Sequence, residues 1–287
     1  MPPAQDDKPY RLIRPEKVTT GVVFSSPHSG REYPADLRGR SGLDSRRLRS
    51  SEDAYVDRLL APAPEAGAPV LTARFPRAWV DLNRAEDELD PALIEGLPRG
   101  PRGPRVMAGL GVIPRVVAGN RAIYSGKITR AEAEARIAGI WRPWHIALAG
   151  LVGEARRRFG RAVLFDVHSM PSEAIDQMGA RRPDIVLGDR YGASSRADTT
   201  AAVDAVFAGL GLRVARNNPF AGAYITQRYG RPAEGIDVVQ IEINRGLYLD
   251  EAAVAPSADY EAFAALMARA VAGLAEIGRA QGRMAAE

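Results

Sequence analysis

At 287 residues with 46% apolar side chains, the chain can bury a sizeable core as one large α/β domain or two small ones. Its formal charge of +4 comes almost wholly from arginine, since Lys8, Lys17 and Lys127 are the lysines, and no compact basic run interleaved with aromatics points to nucleic acid. The absence of cysteine excludes disulfides, thiolate nucleophiles and cysteine-ligated zinc, so a metal would need His, Asp or Glu.

The N-terminal stretch "MPPAQDDKPYR" is polar, with no apolar run of the signal-peptide kind. The longest apolar stretch, around "IALAGLVG", falls well short of the roughly 20 residues of a membrane span, so a soluble, cytoplasmic protein is expected. In chain order, "GVVFSS", "PVLTARF", "AWVDLN", "AVLFDVH", "DIVLGD", "LRVARN" and "IDVVQIEIN" read as buried strands. Between "AWVDLN" and the next helix lies a Gly-, Pro- and Arg-rich region at about 90–118, which reads either as an excursion over the active face or as a surface loop without a role. The spacing of Ile137, Ile140, Trp141, Trp144, Leu148 and Leu151 predicts a helix from Thr129 to Phe159 that Pro143 kinks or splits. A second helix is predicted after Pro256, capped by Ser257 or Asp259 and running through Tyr260, Phe263, Leu266, Met267, Val271 and Leu274. The alternation of strand and helix argues for an α/β fold with a mainly parallel sheet covered on both faces. No repeat or linker divides the chain, so residues 1–287 are expected to form a single domain with its core at about 18–280.

In such sheets ligands gather at the carboxyl ends of the strands. Two strand ends each deliver a histidine followed by serine, His28 in "VVFSSPHSG" and His168 in "VLFDVHSMP". Asp166 stands two residues before His168, so both side chains point to one side of the strand. Two imidazoles leave a hydrolytic zinc site one protein ligand short, and "SSEDAYVDRLL" offers Glu52, Asp53 and Asp57, acids that taken alone read rather as helix capping and favourable charge at a helix N-terminus. In "VVQIEINRGLYLDE", Gln240, Glu242 and Asn244 alternate with Val239, Ile241 and Ile243. On an edge strand Glu242 faces solvent, whereas on a central strand it is desolvated, which suits a general base. Arg84 of "VDLNR" and Arg245 read as surface ion pairs or as forks for a substrate carboxylate. The remaining histidine, His145, lies in a tryptophan-rich helix and reads as structural.

Taken together, "PHSGREYP", "EDAYVDRLL", "VDLNR", "RPWHIAL", "DVHSMP", "DIVLGDRYGAS", "NNPFAGAYITQRYG" and "QIEINRGLYLDE" resemble the N-formylglutamate amidohydrolase family from about Val22 to Glu251. The resemblance implies a three-layer α/β/α fold with a mainly parallel or mixed central sheet, phosphorylase/hydrolase-like and distantly similar to zinc carboxypeptidases and aspartoacylase. It implies removal of the formyl group of N-formyl-L-glutamate in histidine breakdown, by zinc-activated water with a glutamate base. Carried over by position, His28, Asp53 and His168 match the metal ligands, with Glu52 as the alternative acid. Glu242 matches the base, Asn83, Arg84, Arg245 and Tyr224 the substrate-binding groups, and Asp166 a group that orients a ligand. Two departures stand out: Ser195 where the family commonly has cysteine, and Ala223 where it has a second glycine, which bears on the pocket beside Tyr224. Hydrolysis of another N-acyl amino acid, metal-free catalysis by Ser29 or Ser169, and a non-catalytic binding protein on the same fold are the rival expectations. The expected partner is a small acidic acyl amino acid, with neither nucleic acid nor membrane involved.

Overall fold

The computed structural model describes residues 8–98 and 100–284. The first seven residues of the polar N-terminal stretch, Arg99 of the Gly-Pro-Arg region and residues 285–287 lie outside the described residues. The strands are β1 (Tyr10–Ile13), β2 (Val22–Ser26), β3 (Val70–Ala73), β4 (Val116–Val117), β5 (Arg121–Ala122), β6 (Ala162–Met170), β7 (Ile185–Gly188), β8 (Val214–Arg216), β9 (Ile236–Asn244), β10 (Leu249–Asp250) and β11 (Ala255–Pro256), the last two forming a small antiparallel pair. Seven of them form a sheet in the order β1-β3-β2-β6-β9-β7-β8, while β4 and β5 pair as a separate ribbon. β2, β6 and β9 run parallel, β7 lies antiparallel to β9, and β8 is parallel to β7, so the sheet is mixed, with helices on both sides. Every residue of β2, β6 and β7 is buried, which is why these segments open on continuous apolar runs rather than on alternation.

The chain divides into two compact units. One comprises the chain up to Arg11, Pro27–Ala54 and Thr72–Ala147; the other comprises Leu12–Ser26, Tyr55–Leu71 and the chain from Leu148. The first holds the short helices α1 (Ala35–Arg40) and α2 (Ser45–Leu48), and the second holds α3 (Val56–Leu59). The Gly-Pro-Arg region, with α4 (Pro104–Met107), is an ordered excursion rather than a loose loop, because Val106, Val112 and Ile113 are buried. Its backbone is also tied to the segment before it, Asp81 N–H donating to Val112 O at 2.8 Å and Val112 N–H to Glu88 O at 2.9 Å.

"AWVDLN" is a turn rather than the expected strand. The Trp79 and Val80 amides donate to Pro76 O, and the Asn83 amide donates to Asp81 Oδ1 at 2.9 Å, an Asx turn that an apolar run can hide. The predicted long helix is split by a π-helical turn. α5 (Arg130–Arg136), capped by Thr129 through the Glu132 amide, passes into Ile137–Trp141 and then into α6 (Arg142–Phe159). Proline has no N–H and its ring crowds the carbonyl four residues earlier; the wider turn just before Pro143 relieves that crowding, and the Arg142 amide reaches back to Ile137 O.

α7 (Ala197–Gly209) and α9 (Tyr260–Met284) pack together, and α9 also meets β2. α8 (Tyr224–Tyr229) lies against β9. The expected helix after Pro256 is α9, with Phe263, Met267, Val271 and Leu274 buried, and Thr20 Oγ1 donates to Ala275 O at 2.7 Å to fix it against the start of β2. Among the described residues no helix is long and apolar enough to cross a membrane.

Candidate metal centre

β2 ends at Ser26, and Pro27 turns the chain so that His28 lies just beyond the strand. Gly30 allows that turn, since a Cβ there would meet Phe75 O at 2.1 Å. The Asp53 amide donates to His28 O at 2.9 Å, holding the acidic segment against the histidine. The His28 ring bonds Asp81 Oδ1 through Nε2 at 2.7 Å, and its Nδ1 lies 3.5 Å from Asp53 Oδ2. A carboxylate at Nε2 keeps the proton there and turns the Nδ1 lone pair towards Asp53. The Nδ1–Oδ2 spacing is longer than a charge-assisted hydrogen bond of about 2.7–2.9 Å. It is close to the ~3.3 Å that separates two ligands of a tetrahedral zinc with bonds of about 2.0–2.1 Å.

On β6, Asp166 and His168 lie on one face, as their spacing predicts, and His168 Nε2 bonds Asp166 Oδ2 at 2.9 Å. Ser25 sits opposite Asp166 on β2 and donates to Asp166 Oδ1 at 2.8 Å. β6 therefore carries His168, and His28 follows the end of β2, the strand paired with β6. One ligand-capable atom each from His28, Asp53 and His168 lies within 4.8 Å of the others, and all three residues are buried. Two imidazoles and a carboxylate form a donor set that suits zinc.

Glu52 and Asp53, adjacent in sequence, have different partners. Glu52 receives Arg49 Nε at 2.9 Å and Nη2 at 3.1 Å, with the Tyr33 hydroxyl donating to it at 3.1 Å. Burial first, and Glu52 second, raise the pKa of that Tyr33 phenol. Asp57 sits in the first turn of α3, where a negative charge favours the helix.

β9 is hydrogen-bonded on both sides, so Glu242 belongs to a central strand rather than an edge. It is in register with His168 on β6 and shares its face. Gln240 Nε2 donates to Glu242 Oε1 at 2.7 Å, while Gln240 Oε1 accepts the Ala223 amide at 3.0 Å. Gly188, opposite Gln240 on β7, admits that connection, because a Cβ there would lie 2.5 Å from Gly222 N. The same connection leads into α8, where half-buried Tyr224 accepts Arg228 Nη1 at 2.9 Å. Beside it the Tyr229 phenol is pushed up to about 12 by burial, against the pull of Arg228, with Tyr224 and Asp166 adding to the rise. Arg245 follows β9 and donates through Nε to Ser169 Oγ at 3.0 Å.

In the other unit Asn83 and Arg84 are both buried, and Arg84 donates through Nε to Leu110 O at 2.9 Å and through Nη1 to Asn83 O at 3.0 Å. Burial lowers the Arg84 pKa, with Arg77 and Arg105 acting in the same direction and Asp81 and Glu88 opposing. His145 is structural, as expected: its Nε2 bonds Leu82 O at 3.0 Å, and Trp141 Nε1 donates to Arg84 O at 2.9 Å one turn away.

Asp81, which sequence reading missed, is the partner of His28. It also accepts Arg77 Nη2 at 2.7 Å. Burial works to raise its pKa, but Arg77, His28 and Arg84 outweigh it and hold the carboxyl well below the usual range. The Asp-x-Asn spacing of an Asx turn was the available signal. Ser25 and Gln240, which lock Asp166 and Glu242, were likewise missed as ordinary strand residues.

A mixed α/β sheet with a buried His-Asp-His cluster is an arrangement suited to a hydrolase, and comparison with known proteins specifies the family. The family model described as "N-formylglutamate amidohydrolase" matches residues 20–249, and the chain belongs to that family. It is 34% identical over 236 residues to an N-formylglutamate deformylase of Pseudomonas aeruginosa, covering 81% of this chain and 83% of that one. A second N-formylglutamate deformylase, from Pseudomonas putida, is 29% identical over 233 residues, 80% of this chain and 82% of the other. A crystal structure of N-formylglutamate amidohydrolase from Ralstonia eutropha JMP134 superposes with a TM-score of 0.88 at 36% identity, covering 95% of this chain and 99% of that one.

Proposed function

We propose that the protein hydrolyses the formyl amide bond of N-formyl-L-glutamate to formate and L-glutamate, a step of histidine breakdown, with one zinc ion held by His28, Asp53 and His168. The observation that carries this reading is the approach of those three buried side chains to within 4.8 Å, beside a glutamate on the adjoining strand. The names of the similar proteins, deformylases of N-formylglutamate, support the substrate. Zinc in that ligand set would supply Lewis acidity towards a carbonyl oxygen and lower the pKa of water to about 7.

The remaining work belongs to the chain. Asp81 and Asp166 keep the Nε2 protons of His28 and His168 in place, so the Nδ1 atoms are the ones that would hold an ion. Glu242 takes a proton from the attacking water and returns it to the amide nitrogen as the C–N bond breaks. Gln240 holds one oxygen of Glu242 and leaves the other for that transfer. Arg84 with Asn83, and Arg245, grip the substrate carboxylates, and Tyr224 lines the pocket.

The test is metal analysis of protein purified without added metal, followed by assay on N-formylglutamate before and after chelation. About one ion per chain, and activity lost on chelation and restored by zinc, are expected. Activity that survives chelation would overturn the metal. A panel of formyl, acetyl and formimidoyl amino acids tests the substrate, and faster turnover of an acetyl or formimidoyl compound would overturn it.

A further inference from the structure

The Gly-Pro-Arg excursion is fastened to the arginine that precedes it. Arg84 Nε donates to Leu110 O at 2.9 Å, and the Leu110 amide donates to Arg105 O at 2.8 Å, so the backbone carbonyl of Arg105 in α4 stands two hydrogen bonds from the Arg84 guanidinium. The other described arginines of the region are engaged. Arg102 donates to Pro98 O and Pro101 O, and Arg115 pairs with Asp90 at 2.9 Å. Arg105 is exposed, and its guanidinium makes no hydrogen bond or ion pair with a described residue. Arg77, Arg84 and Arg105 share one neighbourhood with two carboxylates, Asp81, which His28 and Arg77 hold, and Glu88, which accepts the Ala85 amide, so positive charge is in surplus there. Like charges held together by the backbone repel, and an incoming anion relieves them more the more charge it brings.

We infer that Arg105 selects for substrates bearing a second carboxylate, so that the excursion sets the preference for acidic over neutral formyl amino acids. This rests on the proposed grip of Arg84 on a substrate carboxylate. Arg84 and Arg245 keep the roles proposed above, and the exposed Arg105 adds its guanidinium to the carboxylate on the substrate's side chain. An exposed arginine can be replaced without disturbing the core.

The experiment compares the wild type, Arg105→Gln, Arg105→Lys and Arg84→Ala on N-formylglutamate and on N-formylglutamine, which has the same shape but one carboxylate fewer. Losing one hydrogen bond between charged groups should raise the KM of Arg105→Gln for N-formylglutamate about tenfold. Its kcat, and its KM for N-formylglutamine, should stay at wild-type levels, and Arg105→Lys should recover part of the loss. Equal changes on both substrates, or no change, would overturn the inference. Arg84→Ala separates the two claims: if it weakens both substrates while Arg105→Gln discriminates between them, the inference stands. If Arg84→Ala weakens both and Arg105→Gln does not discriminate, the inference fails. If neither substrate responds to Arg84→Ala, the carboxylate grip fails, and the inference with it.

Discussion

Replacing Asp81 by asparagine tests how the first histidine is held. Asp81 Oδ1 accepts both His28 Nε2 and the Asn83 amide, and Oδ2 accepts Arg77 Nη2. Asparagine keeps an oxygen for the first two donors but turns an NH2 group towards Arg77, so a charge-assisted bond becomes two opposed donors. A lost hydrogen bond to a charged group costs about 1.5–3 kcal/mol and an orphaned buried donor about 1–3 kcal/mol. With partial relaxation the variant should lose about 2–4 kcal/mol of stability. Losing the negative charge behind His28 should weaken zinc binding by about 10–100-fold. The folded pKa of Asp81 is depressed, so its contribution is present above the unfolded value of about 3.9 and is lost as pH falls through the folded value. The stability gap between variant and wild type should therefore be full at pH 7 and close in acid. Urea melts from pH 7 down to pH 3, together with a competitive zinc titration of the apoprotein, measure both quantities. Wild-type zinc affinity with a gap that does not change with pH would refute this account of Asp81.

Three further outcomes are expected. Glu242→Gln should lower kcat by about 10²–10⁴-fold with zinc content unchanged, and near-normal turnover would remove Glu242 from proton transfer. Asp53→Asn should weaken zinc binding, whereas Glu52→Gln should lower the melting temperature through its Arg49 and Tyr33 bonds and leave zinc affinity intact; the reverse pattern in a paired titration and melt would exchange their roles. Gly30→Ala should yield little folded protein, because the added carbon would overlap a backbone oxygen that cannot swing aside, and a variant melting like the wild type would contradict that overlap.

Much of the site is legible in the sequence wherever one strand supplies the geometry. The two-residue step between Asp166 and His168 gives a shared face directly, and a short turn after an apolar strand places His28 at its end. Whether Glu242 sits at an edge or in the middle depends on pairing with β7, whose antiparallel return no local pattern shows. Neither could the sequence choose between Glu52 and Asp53, since the choice turns on Arg49 and Tyr33 reaching one carboxylate while a backbone bond steers the other. Asp81 was invisible for a related reason: the run around it has the apolar density of a strand, and only Pro76 and the Asx turn bend it into a buried corner. The break near Pro143 is legible in the sequence, but its form, one widened turn just before the proline, is not.

That widened turn sets how the gene can change. It accommodates one residue more than an α-helix of the same rise, and α-helical geometry advances about 100° per residue. A codon deleted between Ile137 and Trp141 would therefore either swing α5 around the barrel of its own axis or drag Trp141 and His145 off the carbonyls of Arg84 and Leu82. Point substitutions there should be tolerated far more readily than length changes, so natural variants of this segment should differ in letters while keeping their count.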